Sequence, residues 1–416
     1  MKYQRPSLST AVAAVMSAAA FVPVAHAIDI AAGDWKISID GNVNAHYIYS
    51  RCDTNPATIA GGLACTDTDS SSSSVSNGLL PAALSISGAT TQNGYDIGFT
   101  FGLYPGISTN DGGSPNLQQT GVSTHTALGT AGLDIRQVFL TFGNNDIGTV
   151  MAGRNIGFFG GDAILNDMTL IGVGGGNGNY AAPANTSLGS IGLGYIYTDW
   201  LSQIDYTTPD IMGMGLKASI GIFDPLNTLS QIPASKKAPG IQGKVMYTSG
   251  PLYLSASGLW QQQRDTTTGA EALVNNGNYN SWAIDFGGKY DWEGFEFMGW
   301  YYVGKGVGTT GLFVNSDDGA GDPRDSNGYL AQITYKFIDT KFGISYGQSK
   351  LLPGSADVGV ARDDLVAKND RVTFGVYHSL TPNLTLLAEV SRIASLNQAG
   401  QENSSHNFNV GAFLKF

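Results

Sequence analysis

The stretch WKISIDGNVNAHYIY, residues 35–49, has a clear two-residue periodicity. Every second residue from Trp35 is apolar or small, and the residues between them are polar until Ile48. Side chains of a β-strand alternate between its two faces, so a strand with one apolar and one polar face is predicted. In a soluble β-sandwich the apolar face would meet a protein core. In a transmembrane barrel it would meet lipid, and the polar face would line a water-filled interior.

The same alternation recurs in stretches that include 213–223, 281–290, 329–337, 371–377 and 407–416. Most of them extend to about nine to eleven residues, the length of a tilted strand that crosses a bilayer, whereas sandwich strands are nearer five or six. The pattern therefore favours a transmembrane barrel. Aromatic residues also stand near the ends of the apolar faces, as they do at membrane–water interfaces: Trp35, Tyr47, Tyr49, Trp260, Trp282, Tyr290 and Phe416.

The predicted connections between strands are alternately short and long. TQNG at 91–94 is a short connection, and 105–131 and 394–405 are long ones. Ser70–Ser74 are predicted to be solvated residues of the first long loop. Transmembrane barrels have short periplasmic turns and long extracellular loops, and a single-chain bacterial barrel has an even number of strands. The chain is thus predicted to be all-β, with one transmembrane antiparallel barrel domain of about sixteen strands over residues 28–416.

The N-terminus has the features of a secretory signal peptide. Lys2 and Arg5 give a basic start, an apolar run follows from about residue 8 to residue 24, and Ala27 ends a small-residue cleavage pattern. Residues 1–27 are therefore predicted to be removed on export. A membrane anchor is the alternative, but the apolar run is short for a span.

The charge balance disfavours nucleic acid as a partner. Removal of the predicted signal peptide leaves 20 basic against 33 acidic residues, which changes the net charge from −11 to −13. Binding to nucleic acid requires clustered positive charge. The chain also has 56 glycines and 13% charged residues, a composition that suits strands joined by glycine- and asparagine-rich loops.

The two cysteines, Cys52 and Cys65, flank a polar stretch and are predicted to form a disulfide in an exported protein. Two free thiols, or a bond between chains, are the alternatives. No histidine has ligand spacing to a cysteine, so neither a metal nor another cofactor is predicted. No Gly-x-Ser-x-Gly elbow occurs and no histidine has a convincing nucleophile partner, so the chain is not expected to be an enzyme.

Residues 135–155, IRQVFLTFGNNDIGTVMAGRN, resemble the paired strands of the general porins of Gram-negative outer membranes. The stretch SQIDYTTPDIMGMGLKASIG, 202–221, looks like that family's strand–Thr-Pro–turn–strand unit. The terminal NVGAFLKF is similar to its last strand, and Phe416 is therefore assigned to membrane assembly. The positions of the first stretch that match are Arg136, Phe139, Gly148, Gly153 and Arg154.

The resemblance implies a sixteen-stranded barrel, usually a homotrimer, that lies in outer-membrane lipid and passes small hydrophilic solutes and ions. In that family the third long loop folds into the lumen, where its acidic residues face a basic cluster on the wall. The corresponding loop here starts at Asn155. The pore-constriction candidates are Arg136 and Arg154 by match, Lys36 from the alternation, Asp162 and Asp167 in the loop, and Asp205 on the wall.

The sequence departs from the family pattern in two places. The third loop has LIGV where some members have a Pro-Glu-Phe-Gly turn, and Asp199 and Asp205 stand where relatives often carry basic residues. The alternation makes the inner wall mildly basic, whereas the predicted mouth is acidic. A weak cation preference is therefore predicted, set at the mouth and the third loop. The acidic loop residues are Asp53, Asp67, Asp69, Asp111, Asp317, Asp318, Asp322, Asp363 and Asp364.

Two other functional classes are weighed against a diffusion channel. An outer-membrane barrel enzyme would need a catalytic constellation on the outer rim, and a secreted β-rich adhesin would not need strands of bilayer length. The barrel interpretation also predicts that Phe374 faces lipid and that Thr373 faces the lumen. Arginine at Phe374 should then cost roughly 2–4 kcal/mol if Phe374 lies near the bilayer midplane, and arginine at Thr373 far less.

Overall fold

The computed structural model describes residues 28–53, 59–65, 71–107, 133–176, 186–227, 237–263, 278–318, 321–357 and 362–416. The predicted signal peptide, residues 1–27, and the loop residues Asp67, Asp69 and Asp111 lie outside these ranges. Among the described residues, no helix is long and apolar enough to cross a bilayer. The helix α1 covers Gly161–Leu165.

Within these described ranges, eighteen strands form one antiparallel sheet in which neighbours along the chain are generally neighbours in the sheet. Their bounds are β1 (Ile28–Ala32), β2 (Trp35–Cys52), β3 (Ser71–Ser76), β4 (Ala83–Gln92), β5 (Tyr95–Pro105), β6 (Leu133–Asn144), β7 (Gly148–Ile156), β8 (Trp200–Thr207), β9 (Leu216–Phe223), β10 (Gly240–Ser249), β11 (Leu252–Gln263), β12 (Tyr279–Trp292), β13 (Phe295–Lys305), β14 (Asp325–Phe337), β15 (Thr340–Leu351), β16 (Val366–Ser379), β17 (Leu384–Asn397) and β18 (Glu402–Lys415).

The long strand β2 closes the sheet into a barrel. On one side, its residues Asn42–Cys52 pair with β18 and its residues Trp35–Ile39 pair with β1. On the other side, β3 pairs with His46–Arg51 and β4 pairs with Lys36–Asn42. Because β1 and β18 share one place in the wall and β3 and β4 share another, the eighteen strands occupy sixteen places. The predicted strand number is confirmed.

Closure of the barrel provides hydrogen-bond partners for the backbone groups at the C-terminus. Gly41 and Phe416 exchange two backbone N–H···O hydrogen bonds of 3.0 Å, which continue the β2–β18 ladder to the last residue. A closed sheet leaves no row of unpaired backbone groups, and such groups have no water to bind in hydrocarbon. Phe416 therefore lies at the seam of the barrel, although its predicted role in membrane assembly stays a prediction.

The apolar side chains face outward, as predicted. On β2, Val43 is 54% exposed, whereas the inward His46 is 1% exposed. On β16, Phe374 is 53% exposed and Thr373 is fully buried. This arrangement reverses that of a soluble protein, because the outer solvent is lipid and the polar residues line the interior.

The connections have the predicted alternation except at the last one. Asn93 and Gly94 join β4 to β5 with φ of 50° and 81°, the left-handed pair that a two-residue hairpin favours. The predicted long loop at 394–405 is wrong, because β17 and β18 remain paired up to Leu396 and Glu402. Ser71–Ser76 likewise form a strand on β2 where solvated loop is predicted, because the edge of β2 supplies partners for their backbone groups.

Candidate functional site: the loop inside the barrel

The third long loop, between Ile156 and Trp200, folds into the barrel as the resemblance implies. Its described residues fall in two parts, a first limb at 157–176 and a second limb at 186–199. Both limbs are held by side chains at inward positions of the strands. Those side chains are Gln242 on β10, Asp285 on β12, Gln332 on β14, Arg371 on β16 and Glu389 on β17.

The start of the first limb follows the inner wall. The backbone N–H of Phe158 donates to the Gln242 side chain at 3.1 Å, and that of Gly160 donates to Asp285 at 2.7 Å. Gly160 has a φ of 75°, a conformation that favours glycine and that turns the chain into α1. The polar wall thus replaces the water that these loop amides would otherwise bind.

Asp162 on α1 is the loop residue with the strongest connection to the wall. Its carboxylate accepts hydrogen bonds from Lys244 at 2.5 Å, from Tyr253 at 2.9 Å and from Ser255 at 2.5 Å. The side chains of Lys244 and Asp162 are 14% and 10% exposed. An ion pair with this little water is stronger than a surface pair, and removal of one partner leaves a buried charge.

Asp167 joins the two limbs of the loop to each other. It accepts hydrogen bonds from the backbone and hydroxyl of Thr169 on the first limb. On the second limb it accepts from the Ser190 N–H at 3.0 Å and from the Tyr195 hydroxyl at 2.8 Å. Because Asp167 is 3% exposed, its carboxylate binds groups of the third loop itself and stabilises the contact between the two limbs.

Glu389 holds the end of the first limb. Its carboxylate accepts the backbone N–H groups of Val173 and Gly174, both at 2.9 Å, and the hydroxyl of Tyr377 at 2.6 Å. The Asn409 amide donates to the same carboxylate at 3.0 Å, and a carboxylate with four donors is well compensated for the loss of water.

Arg371, which is fully buried, holds the second limb. Its guanidinium donates to the Gly189 carbonyl and to the hydroxyl of Ser190, the latter at 2.6 Å. The alternation places Lys244, Arg371 and Glu389 on the inward face, but it could not identify them as the partners of the loop. That assignment depends on the path of the loop.

Arg136 lies inside the barrel, but its contacts are with Asp134 and two aromatic rings rather than with the loop acid Asp162. It donates to Asp134 at 3.1 Å, and its guanidinium carbon lies 4.9 Å from the ring centre of Tyr104 and 5.7 Å from that of Trp200. It is 4% exposed. The contacts of Arg136 are therefore those of a buried ion pair stacked on aromatic rings.

The predicted lumenal position of Arg154 is wrong. Arg154 pairs in register with Val138 on β6 and with Ser202 on β8, and directly paired residues share a face of the sheet. Val138 is 38% exposed on the lipid side, and Ser202 is exposed as well. The cause is a β-bulge in β6. Gly102 of β5 pairs with Gln137 and Leu103 pairs with Ile135, so Arg136 is skipped and the residues after it change face.

Lys36 and Asp205 face inward but lie in separate places. Lys36 is near the periplasmic end of β2 and forms an ion pair of 2.8 Å with Asp29, where both side chains are about half exposed. Asp205 on β8 is 3% exposed and accepts a hydrogen bond of 2.9 Å from Gln242. The six constriction candidates are thus not brought together into one cluster.

Asp199, where the sequence departs from relatives, ends the third loop in a left-handed conformation with φ of 62°. It accepts the Trp200 N–H at 2.6 Å. Burial raises the pKa of Asp199 to about 6, and the Trp200 amide and the charges of Arg154 and Arg136 oppose this rise.

Below the third loop, the inner wall carries several lysines. Lys336 on β14 lies directly opposite Lys341 on β15. The ammonium of Lys341 is 5.0 Å from the ring centre of Tyr377, and Lys289 is 3.5 Å from Glu296. Polar and charged side chains of both signs therefore line the interior, as is expected of a wet lumen.

Above the third loop, the sulfur atoms of Cys52 and Cys65 are bonded to each other, with their Cα atoms 5.7 Å apart. Both residues lie at the extracellular end of the barrel, since Cys52 ends β2 where a long connection begins.

Comparison with known proteins agrees with this architecture. A family model for Gram-negative porins matches residues 9–398. The outer membrane channel DcaP of Acinetobacter baumannii superposes with a TM-score of 0.67 at 14% identity, over 93% of this chain and 99% of that chain. The anion-selective porin from Comamonas acidovorans gives 0.60 at 15% identity, over 92% and 100%.

Salmonella typhi OmpF, solved as a complex with daunomycin, gives a TM-score of 0.58 at 14% identity, over 94% of this chain and 100% of that chain. At these identities the solved structures establish the fold. No curated protein sequence matches the chain.

Proposed function

Because the chain belongs to the Gram-negative porins, which are outer-membrane channels for passive diffusion, we propose that this channel admits small hydrophilic solutes and ions with a weak preference for cations. The observation that carries the proposal is the set of hydrogen bonds by which inner-wall side chains, from Gln242 to Glu389, hold the third loop. A loop fixed inside a water-filled barrel narrows the passage and leaves polar groups to line it. The mature chain is proposed to be residues 28–416.

The cation preference is assigned to the extracellular mouth. Asp53, Asp363 and Asp364 are exposed there, whereas Asp162 in the third loop is neutralised by Lys244. Exposed charges at a pore entrance raise the local concentration of counter-ions. We therefore assign the proposed cation preference to the mouth rather than to the third loop.

The inner wall favours the opposite preference. Lys217, Lys336 and Lys341 occupy inward positions below the third loop, and a positive wall attracts anions. The potential at which current reverses across a KCl gradient distinguishes the two. A reversal potential with the sign expected for cation selectivity supports the assignment of selectivity to the mouth. The sign expected for anion selectivity contradicts the proposed preference and assigns selectivity to the wall.

Single-channel recording on purified, folded protein in planar bilayers tests the channel itself. Stable stepwise conductance is expected. A folded, heat-modifiable protein that gives no conductance steps would favour the alternative of an outer-membrane barrel enzyme.

The proposed homotrimer follows from the resemblance to general porins. Native mass spectrometry of detergent-extracted protein should give three copies, and a monomer that conducts would overturn this part of the proposal.

A further inference from the structure

Residues 59–65, here called the strap, lie at the extracellular end of the barrel and follow the inner wall along the neighbouring strands from β16 to β2. The strap lies between β2 and β3 in the chain, and it contacts β15, β16, β17 and the third loop as well as the end of β2. Its last residue, Cys65, is bonded to Cys52 at the end of β2. The disulfide therefore closes the strap onto the strand from which it departs.

The wall provides a site for the strap backbone. Ser395 accepts the N–H groups of Leu63 at 2.9 Å and of Ala64 at 3.1 Å. Asn369 donates to the Gly61 carbonyl at 3.1 Å. Ser395 and Asn369 are hydrogen bonded to each other at 2.6 Å and are almost fully buried at inward positions of β17 and β16. Both side chains are thus oriented towards the strap.

A short ladder fixes the start of the strap to the loop before β16. The Ala60 N–H donates to the Asp364 carbonyl at 2.8 Å, and the Val366 N–H donates to the Ala60 carbonyl at 2.9 Å. The strap is consequently held at both ends, by this ladder and by the disulfide.

The side chain of Leu63 packs against the second limb of the third loop. It is 5% exposed and belongs to one apolar cluster with Leu188, Ile191 and Leu193. Gly192 lies directly beneath it, since a Cβ at that position would meet the Leu63 Cδ1 at 2.7 Å. The strap therefore covers the face of the third loop that points to the extracellular side.

We propose that the strap is a second constriction element of the channel, in which Leu63 is a positioning residue that holds the second limb of the third loop. The disulfide keeps Leu63 on Gly192 because it holds Cys65, two residues along the strap, at the end of β2. Opening the disulfide frees the strap, loosens the limb and admits larger solutes. This inference rests on the proposed channel function.

The first test opens the disulfide in channels that are already folded. Dithiothreitol, added to the extracellular side of a planar bilayer, attacks the bond between the two sulfurs. The protein gains two thiols, and the reagent loses two hydrogens and closes to its cyclic disulfide. A stepwise rise in conductance is expected, with reversal on reoxidation, and liposome-swelling assays should show a shift of the size cutoff to larger sugars.

Three variants accompany the reductant. Channels with Cys52→Ser and Cys65→Ser together should show the raised conductance without reductant and no response to it. Leu63→Ser, which keeps the disulfide, should show a raised conductance and a smaller response. Leu352→Ser is the matched control, because this loop leucine is 47% exposed, and it should behave as the parent protein.

The outcomes separate this inference from the channel function. If oxidised and reduced parent channels and Leu63→Ser all have the same conductance and size cutoff, the strap is not a constriction element. If no protein gives conductance steps, the channel function fails instead. The reductant experiment on folded channels decides the matter even if the cysteine variants do not fold.

Discussion

Lys244 on β10 reaches Asp162 in the third loop with an Nζ–Oδ1 distance of 2.5 Å. The basic partner of the loop acid is therefore not one of the two matched arginines. Arg136 is paired with Asp134, and Arg154 lies on the outer surface. The loop acid is paired with a base on the wall, and that base is supplied by β10.

Replacement of Asp162 by alanine should lower the free energy of unfolding by about 3 kcal/mol, because Lys244 would keep its charge with little water around it. Urea unfolding of the protein in detergent micelles measures the change. Asp363→Ala, at an exposed loop position, is the control and should change stability by less than about 0.5 kcal/mol. Equal effects would show that the ion pair does not fix the loop.

Arg154→Gln should leave ion selectivity unchanged, since Arg154 shares the outer face with Val138. Lys217→Gln should shift the reversal potential in a KCl gradient towards cations, because it removes a positive charge from an inward position opposite Met246. The two substitutions remove the same charge, so they separate the faces of the wall. A larger shift for Arg154→Gln would disprove the assigned register.

Leu140→Arg should cost about 2–4 kcal/mol, because Leu140 lies on the lipid face of β6 and is 48% exposed. Thr141→Arg, one residue along and facing the lumen, should cost clearly less. Equilibrium folding into lipid vesicles measures both. Similar costs for the two variants would contradict the facing of β6.

The Thr373 comparison predicted from sequence is less informative. Thr373 is fully buried and bonded to Ser391, which donates to the Gly174 carbonyl of the third loop. Arginine there would displace the loop, so the expected low cost at an inward position does not apply. On this side of the barrel the wall is covered by the third loop rather than by water.

The loops at the mouth should loosen in acid. Arg324 donates to both oxygens of Asp357 at 2.6 and 2.7 Å, and Gly354 donates to the same carboxylate at 2.8 Å. Burial opposes ionisation, but these donors outweigh it and lower the pKa of Asp357 below 3.8. The stabilisation is complete above the unfolded pKa and is lost as the pH falls through the lower folded pKa.

Thermal midpoints measured from neutral pH down to about pH 2 test this linkage. The parent protein should lose stability below about pH 4, whereas Asp357→Asn should be less stable at neutral pH and lose less on acidification. The thermal midpoint of Arg324→Lys should fall between those of the other two proteins, because lysine cannot form the bidentate hydrogen bonds to Asp357. An unchanged acid profile in Asp357→Asn would exclude Asp357 as its source.

The sequence alone determined the barrel. A two-residue period fixes the face of each side chain in a regular strand, so the apolar set from Val43 to Phe374 identified the lipid side and the number of such strands indicated sixteen places. The hairpin at Asn93–Gly94 could also be predicted, because its turn chemistry is local.

The tertiary structure decided which lumenal groups meet. Arg136 and Val138 would share a face in a regular strand, but the bulge between them sends Val138, and with it Arg154, to the outside. One inserted residue exchanges the faces of all that follow, and the match to the family's paired strands, which assigned Arg154 to the lumen, does not take such a bulge into account. The partners of the third loop and of the strap likewise could not be predicted from the sequence. Lys244 meets Asp162, and Ser395 meets Leu63, only because the closed wall determines the position of each loop.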